Sequence, residues 1–346
     1  MYVPVLQCRE DECRALKDLS TTNREHIVPL LEMTGLSDKH TGYLKKFLNS
    51  WSAKFYFDPR PYYTEVARTA DHDVMMLKCI GSLTDKSLII PVLYLDENAM
   101  SLAAIGTLCN SLNLDVCLRL TAYDLATHDS LKQAVSEFLS RTGIPAQRVH
   151  LLFDYGRHVR QAETRTLVNN FEKHNVTLRK LGKWPVVVLH ASCMPADLRD
   201  IQPGKYEMPR VDLALWLAVR DASILKEVVF SDRTVMYPQI PLDETSKAFL
   251  MMTASAKYTT KDSVVIYRGR KILGRKGSGF EQYIEHAKAI VADARFSGRA
   301  FSKGDEMIAD IAASILKKGK LPTGNTREWR RAAMSHHMTL TADQVS

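Results

Sequence analysis

Short apolar runs rich in β-branched and aromatic residues recur along the first two thirds of the chain, with starts 25 to 42 residues apart. The eight runs are YVPVLQ (2–7), IVPLLEM (27–33), KFYFDP (54–59), IIPVLYLD (89–96), DVCLRL (115–120), VHLLFDYG (149–156), PVVVLHAS (185–192) and EVVFSD (227–232). Each interval is long enough for one crossover helix of a βαβ unit. The alternation therefore predicts a parallel sheet.

The segments between the runs place apolar residues three and four positions apart, which is typical of amphipathic helices. They are residues 11–19, 41–51, 99–112, 130–143, 162–174 and 211–225. Eight βα units within about 235 residues match a (β/α)8 barrel. An open, doubly wound sheet is the alternative, but QCREDECRAL follows the first run where that fold carries a glycine-rich turn. We therefore predict an α/β fold, a TIM-like (β/α)8 barrel, and no nucleotide cofactor motif.

The pattern changes after the eighth run. Residues 264–280 contain four glycines among basic residues and predict a hairpin or loop, and two amphipathic helical segments follow. Ser302 precedes Asp305 by three residues ahead of an apolar run, which resembles a capping box. We predict a barrel at 1–245, a basic α+β extension at 246–335 packed on it, and a tail at 336–346.

Composition narrows the class of protein. Hydrophobic residues make up 45% and charged residues 25%, the balance of a soluble globular protein. No apolar run reaches about 18 residues and the start lacks a signal-peptide pattern, so we expect a cytoplasmic protein without a membrane partner. The six cysteines show neither CxxC nor paired Cys/His spacing, which predicts buried hydrophobes instead of a zinc or disulfide role.

Positive charge is concentrated near the end of the chain. The net charge is +8, and residues 257–335 hold 17 Lys and Arg against 8 Asp and Glu. Such a region either attracts phosphate polyanions or is a solvated face. If it binds phosphate or nucleic acid, the candidate contacts are Arg210, Arg268, Arg270, Lys271, Arg275 and Lys276.

Every apolar run ends on a polar group. These residues are Gln7, Glu32, Asp58, Asp96, Arg119, Asp154, Ser192 and Asp232. In a barrel of this type the strand ends form the functional face, although an acid after a strand is also an ordinary cap or turn residue. Crowded carboxylates need a cation, a proton or Arg119 for neutralisation. We predict a catalytic set of Glu32, Asp58, Arg119, Asp154 and Asp232, with Mg²⁺ or Mn²⁺ bound by Glu32, Asp58 and Asp154.

Three weaker candidates accompany this set. His190 and Ser192 share one strand face and form a conceivable nucleophilic pair, but no Gly-x-Ser-x-Gly elbow surrounds Ser192. Cys193 is no better supported as a nucleophile. The adjacent His336 and His337 are either a metal clip or part of a polar tail.

Several short motifs resemble the Beta protein family, named for a beta protein of a T-even phage. They include YVPVLQCREDECRALKDL, IVPLLEM, CLRL, LLFDYG, SCMPADL, MPRVDLALW, VVFSD, FSKGDEMI and the final HH. The resemblance covers nearly the whole chain and points to Arg9, Glu12, Glu32, Arg119, Asp154, Arg210, Asp232, Gly304, Asp305 and His337. Departures are Arg9 where the family often has Lys, Asp11 where glycine is usual, and AKYT without the arginine expected before Tyr258. The resemblance implies a barrel-like protein linked to phage or mobile-element biology, phage defence included, and implies no particular reaction.

Two functions fit these observations. One is a metal-dependent phosphodiester hydrolase, in which the carboxylates hold the metal, Arg119 contacts a phosphate and the basic extension attracts the substrate. The other is a non-catalytic barrel that binds nucleic acid or a protein partner such as a nuclease. In that case Arg119 and Arg210 neutralise the carboxylates.

Overall fold

The computed structural model describes residues 1–35, 37–60, 70–126, 128–156, 159–195, 198, 201–222, 227–237, 252–273, 278–314 and 322–346. The chain forms two compact units. The first comprises Met1–Arg9, Glu25–Cys193 and Val211–Arg233. The second comprises Glu10–Arg24, Met194–Arg210 and Thr234–Ser346.

The first unit contains a closed barrel of eight parallel strands in the order β1-β2-β3-β4-β5-β6-β7-β9. The strands are β1 (Tyr2–Gln7), β2 (Leu30–Glu32), β3 (Phe55–Asp58), β4 (Ile89–Leu93), β5 (Val116–Leu120), β6 (Val149–Asp154), β7 (Val187–His190) and β9 (Val228–Asp232). They are the eight apolar runs of the sequence, so the predicted barrel is confirmed.

Helices surround the barrel. They are α3 (Asp38–Leu48), α4 (Ala70–Ser82), α5 (Ala99–Ser111), α6 (Ala122–Ala126), α7 (His128–Thr142), α8 (Thr164–Arg179) and α9 (Val211–Ala222). Local chemistry sets their ends. The Asn98 side chain accepts a hydrogen bond from the Ser101 backbone nitrogen at the start of α5. Gly143 follows α7 with φ 62°, a left-handed conformation that glycine adopts without steric cost.

Side chains alternate between the barrel interior and its outer surface. Ten inward-facing residues form a buried cluster: Val3, Val5, Leu30, Tyr56, Ile90, Val92, Tyr94, Cys117, Leu152 and Val188. Counting two residues onward from Leu30, Tyr56, Cys117, Leu152 and Val188 gives Glu32, Asp58, Arg119, Asp154 and His190. The strand period of two therefore stacks a polar layer directly above an apolar one.

The second unit holds an antiparallel sheet in the order β10-β11-β8. Its strands are β8 (Gly204–Pro209), β10 (Thr253–Thr259) and β11 (Ser263–Lys271). Its helices are α1 (Glu10–Lys17), α2 (Thr21–Glu25, whose last residue belongs to the first unit), α10 (Gln282–Val291), α11 (Lys303–Ala312) and α12 (Thr326–Val345). Its core is rich in aromatic residues, and Tyr283 stacks on Trp329 with ring centroids 4.8 Å apart.

The end of the chain lies in the long helix α12, which begins at an Asn325 capping box. His336 and His337 are buried in this helix, although the sequence suggested a separate tail at 336–346. His336 Nδ1 lies 2.8 Å from Asp305 Oδ2, and its Nε2 lies 2.7 Å from the Thr259 carbonyl oxygen. Residues far away in the sequence therefore hold this polar segment in place, and the segment itself has no apolar periodicity. Among the described helices, none has the length and apolar character needed to span a membrane.

Candidate active site at the carboxyl ends of the barrel strands

Neighbouring strands bring the predicted acids into register. Gln7, Glu32 and Asp58 pair side by side across β1, β2 and β3. Asp154 pairs with His190 across β6 and β7. We use the name polar layer for Glu32, Asp58, Tyr94, Arg119, Asp154, His190, Ser231 and Arg233, which are all buried.

Arg119 lies at the centre of the polar layer and is fully buried. Its Nε and Nη2 donate to Asp154 Oδ2 at 2.8 Å and 2.7 Å. Its Nη1 donates to Glu32 Oε1 at 2.8 Å and to Asp58 Oδ2 at 3.1 Å. The Arg119 guanidinium therefore binds three of the other four residues in the predicted catalytic set. It can do so because its N–H donors point outward in one plane.

Arg233 is a second guanidinium in the layer, and the sequence analysis missed it. Its Nη1 and Nη2 donate to Glu32 Oε2 at 2.8 Å and Glu32 Oε1 at 2.7 Å, a bidentate pair. The residue stands one position beyond the last apolar run. Counting in steps of two from Val229 would have identified it, because Ser231 and Arg233 both face inward.

Asp232 points away from the polar layer. It lies between Ser231, which bonds His190, and Arg233, which bonds Glu32, so the strand alternation turns it to the outer face of β9. Its Oδ1 accepts a hydrogen bond of 2.5 Å from the Tyr2 hydroxyl. The structure therefore separates the Asp232 side chain from the other four residues of the predicted catalytic set, which are Glu32, Asp58, Arg119 and Asp154.

Tyr94 closes one side of the layer. Its hydroxyl donates to Asp58 Oδ2, while the backbone nitrogen of Arg60 donates to Asp58 Oδ1 at 3.0 Å. Burial raises the pKa of Tyr94 well above its ordinary value, and the negative charge of Asp58 adds to the rise. Tyr94 therefore stays a neutral donor.

The carboxylates of Glu32 and Asp154 are ionised. Burial acts to raise the pKa of Glu32, but Arg233 and Arg119 outweigh it, and the net shift is downward. Burial likewise opposes ionisation of Asp154, yet Arg119 and other positive charges lower its pKa to about 2. The carboxylates in turn keep the pKa of Arg119 far above its usual range.

His190 differs from the other members because one of its ring nitrogens lacks a partner in the described residues. Nδ1 shares a hydrogen bond of 2.8 Å with Ser231 Oγ. Nε2 is buried without a hydrogen-bond partner and lies 4.0 Å from Asp154 Oδ1. Burial lowers the pKa of His190 to about 4, with Arg233 and Arg119 acting in the same direction and Asp154 against it. The ring is therefore neutral at physiological pH.

The remaining candidates are distributed over both units. In the first unit Asp96 is half-exposed and pairs with Arg60, whereas Ser192 and Cys193 are buried. In the second unit Arg210 donates to Gln344 and Thr341, and Arg268 contacts Thr253 and Ser255. Arg270 and Lys271 are exposed at the end of β11. Arg275 and Lys276 lie outside the described residues.

The arrangement does not fit a metal ion as it stands. Within the described ranges, no three His, Cys, Asp or Glu side chains converge to hold one. The positive charge between Glu32, Asp58 and Asp154 is the Arg119 guanidinium, which already binds an oxygen of each. The Mg²⁺ or Mn²⁺ site stays a prediction from the sequence.

The sequence was compared with models of known protein families. The family model described as Beta protein matches residues 2–343, which is nearly the whole chain. The chain belongs to the Beta protein family. A search of curated proteins with this sequence found no significant match.

Three solved structures resemble the fold at low sequence identity. The arginine decarboxylase of Paramecium bursaria Chlorella virus is 11% identical, with 67% of this chain and 58% of that chain covered and a TM-score of 0.39. The YdjI aldolase of Escherichia coli K12 is 10% identical, with coverage of 67% and 74% and a TM-score of 0.36. The alanine racemase of Clostridium difficile 630 is 11% identical, with coverage of 82% and 83% and a TM-score of 0.38. The chain thus spans less than two thirds of the viral decarboxylase, and these likenesses carry no information about its reaction.

Proposed function

We propose that this Beta protein is an enzyme that performs metal-independent acid–base chemistry on a small molecule at the polar layer, with His190 as the proton-accepting group. The observation that carries the proposal is the buried Nε2 of His190, which lies beside Asp154 and has no hydrogen-bond partner among the residues that the structure describes. In (β/α)8 barrels, reacting groups come from the carboxyl ends of the strands, where His190 ends β7.

The surroundings of His190 suit proton transfer. A neutral imidazole accepts a proton on a nitrogen that is not already bonded, and Ser231 fixes the orientation of the ring through the other nitrogen. Asp154 is ionised, and its Oδ1 lies 4.0 Å from Nε2. Once His190 has taken up a proton, the imidazolium gains an ion pair with Asp154. A buried ion network can also serve folding alone, so the proposal needs a test of chemistry.

Metal-dependent phosphodiester hydrolysis is less well supported than this reaction. It requires carboxylate oxygens that are available to a cation. Guanidinium groups already occupy oxygens of Glu32, Asp58 and Asp154. A role in phage or mobile-element biology stays a hypothesis based on the family name.

Deuterium incorporation tests the proposal without a known substrate. The protein is incubated in D2O with EDTA and a panel of small metabolites, and carbon-bound deuterium is followed by mass spectrometry. We expect incorporation with the wild type and loss of it in His190→Gln. His150→Gln is the matched control, because His150 is also buried with a pKa lowered to about 4 but lies at the start of β6 and bonds Tyr56. Equal rates in wild type and His190→Gln would refute the role.

Nucleic-acid binding through the second unit is the other candidate, and one observation favours it. Arg270 and Lys271 are exposed at the end of β11, and the basic residues Arg275 and Lys276 follow within five positions in the sequence. Contacts of lysine and arginine with phosphates weaken steeply as salt rises. Binding of a labelled single-stranded oligonucleotide that falls with salt, and falls further in Arg270→Gln/Lys271→Gln, would support it. Unchanged binding in that variant would refute these two contacts.

A further inference from the structure

Helix α5 is apolar on its solvent-facing side as well as on the side that packs against the barrel. None of its 13 residues is charged, and Leu102, Ile105 and Cys109 are buried. The exposed positions recur at the helical spacing of three and four, and they include Met100, Ala103, Ala104 and Thr107. The Thr107 hydroxyl donates to the Ala103 carbonyl oxygen at 2.9 Å, within the same helix. A surface helix normally presents polar residues to water, so the exposed side of α5 is typical of a side that packs against protein.

Helix α4 continues this apolar surface. Its residues Val74 and Leu77 are three positions apart and are 46% and 52% exposed. The two helices are neighbours, because β3 pairs with β4 and the Ser101 hydroxyl donates to Asp73 Oδ2 at 2.6 Å. Lys78 is the one charged residue among the exposed positions that the structure describes in α4. A continuous apolar surface, unlike a single exposed apolar residue, marks an interaction site. We use the name apolar face for Val74, Leu77, Met100, Ala103, Ala104 and Thr107.

Charge identifies the partner that fits the apolar face. Nucleic acid or a highly charged protein finds no counter-charge on it. The chain has a net charge of +8, so two copies repel each other when they meet through charged surfaces. The apolar face can lie against its own copy about a two-fold axis without placing like charges together. From these observations we propose that the protein forms a homodimer in which α4 and α5 of two copies pack together through the apolar face.

The size of the apolar face determines how strong this dimer is. Helices α4 and α5 have 13 residues each, so each is about 20 Å long and about 10 Å wide. Side by side they cover about 400 Å² on one copy and about 800 Å² on the two copies together. Stable complexes usually bury about 1,000 Å² or more. We therefore expect a weak dimer that dissociates on dilution, with a dissociation constant of about 1 μM or higher. The small side chains of Ala103 and Ala104 let helices of the two copies approach closely.

Sedimentation velocity of the full chain tests for the dimer over concentrations from about 1 μM to about 1 mM. We expect the weight-average sedimentation coefficient to rise with concentration. Added NaCl should strengthen the association, because salt screens the repulsion between two positively charged copies and leaves an uncharged contact in place. A contact made through the basic residues of the second unit would instead weaken as salt rises. A sedimentation coefficient that does not change with concentration would overturn the proposal, and so would association that salt weakens.

Two Ala→Glu substitutions assign the association to the apolar face. Ala104→Glu places like charges across the interface, so the dissociation constant should rise about a hundredfold or more. Leu77→Lys, beside Lys78 on α4, should weaken the dimer for the same reason. Ala214→Glu, at an exposed position of α9, is the matched control and should leave the dissociation constant unchanged. Glutamate is a good helix former, so both glutamate variants should keep the circular dichroism spectrum of the wild type. Equal association of Ala104→Glu and the wild type, or loss of it in Ala214→Glu alone, would refute the proposal.

Discussion

Removing Arg233 tests whether the guanidiniums hold the polar layer together. Arg233 makes two charge-assisted hydrogen bonds, of 2.7 Å and 2.8 Å, to a glutamate that is 1% exposed. Arg233→Met keeps most of the aliphatic volume and leaves Glu32 with Arg119 as its only guanidinium partner among the described residues. Breaking a buried pair by removing one partner typically costs about 3–5 kcal/mol. We therefore expect the free energy of unfolding of the barrel to fall by about 4 kcal/mol.

An Arg→Met substitution in an exposed ion pair serves as the comparison for the loss of stability. Arg141 and Glu137 lie on α7 with side chains 47% and 50% exposed and a nitrogen–oxygen distance of 3.3 Å. Exposed pairs of this helical spacing contribute about 0.3–0.5 kcal/mol, so Arg141→Met should change stability by no more than that. The tenfold contrast between two Arg→Met changes reflects burial, since the residue types are the same.

Urea unfolding followed by tryptophan fluorescence measures both variants. Trp51, Trp184 and Trp216 lie in the first unit, so most of the signal reports the barrel. Glu32→Gln in the Arg233→Met background should recover part of the loss, and a double-mutant cycle should give a coupling of at least about 2 kcal/mol. A cost of Arg233→Met below about 1 kcal/mol, or equal to that of Arg141→Met, would show that the pair is solvated and the reasoning wrong.

Three further predictions concern other residues. Because the folded state holds His190 neutral with a pKa of about 4, His190 should account for about 3 kcal/mol of the stability that is lost as pH drops from 6.5 to 4. His190→Gln should remove this share in pH-dependent urea unfolding, whereas the share of His150, whose pKa is also lowered to about 4, should remain. His336→Ala removes both hydrogen bonds of the ring and should destabilise the second unit by about 3 kcal/mol in calorimetry. Lys303→Ala, on the exposed surface of α11, should change the stability by less than about 0.5 kcal/mol. Tyr2→Phe should lower the free energy of unfolding by about 1–2 kcal/mol. It should leave deuterium incorporation unchanged, because the hydrogen bond between Tyr2 and Asp232 lies outside the polar layer. Loss of incorporation in this variant would show that Asp232 contributes to the site.

The barrel was predictable because its strands are encoded locally. A strand buried on both faces is nearly continuous in apolar residues, and eight such runs with helical segments between them admit few architectures. The polar strand ends then followed from a rule about the fold, and Glu32, Asp58, Arg119 and Asp154 do meet. Residues 10–24 and 194–210 were harder to assign, since their membership of the second unit depends on contacts with residues more than 50 positions away.

What the sequence left undecided was the partner of each charge. Glu32, Asp58 and Asp154 could have surrounded a metal ion or a guanidinium, because both arrangements satisfy the same oxygens. The choice depends on where the Arg119 side chain ends and on whether a second arginine reaches Glu32, and neither is a property of a single strand. Arg233 reaches Glu32 from the end of β9, and together with Arg119 it places guanidinium donors on both oxygens of that carboxylate. The predicted metal site is therefore a network of carboxylates and guanidiniums in the described residues, and the proposed function uses the His190 nitrogen beside that network, not a metal ion.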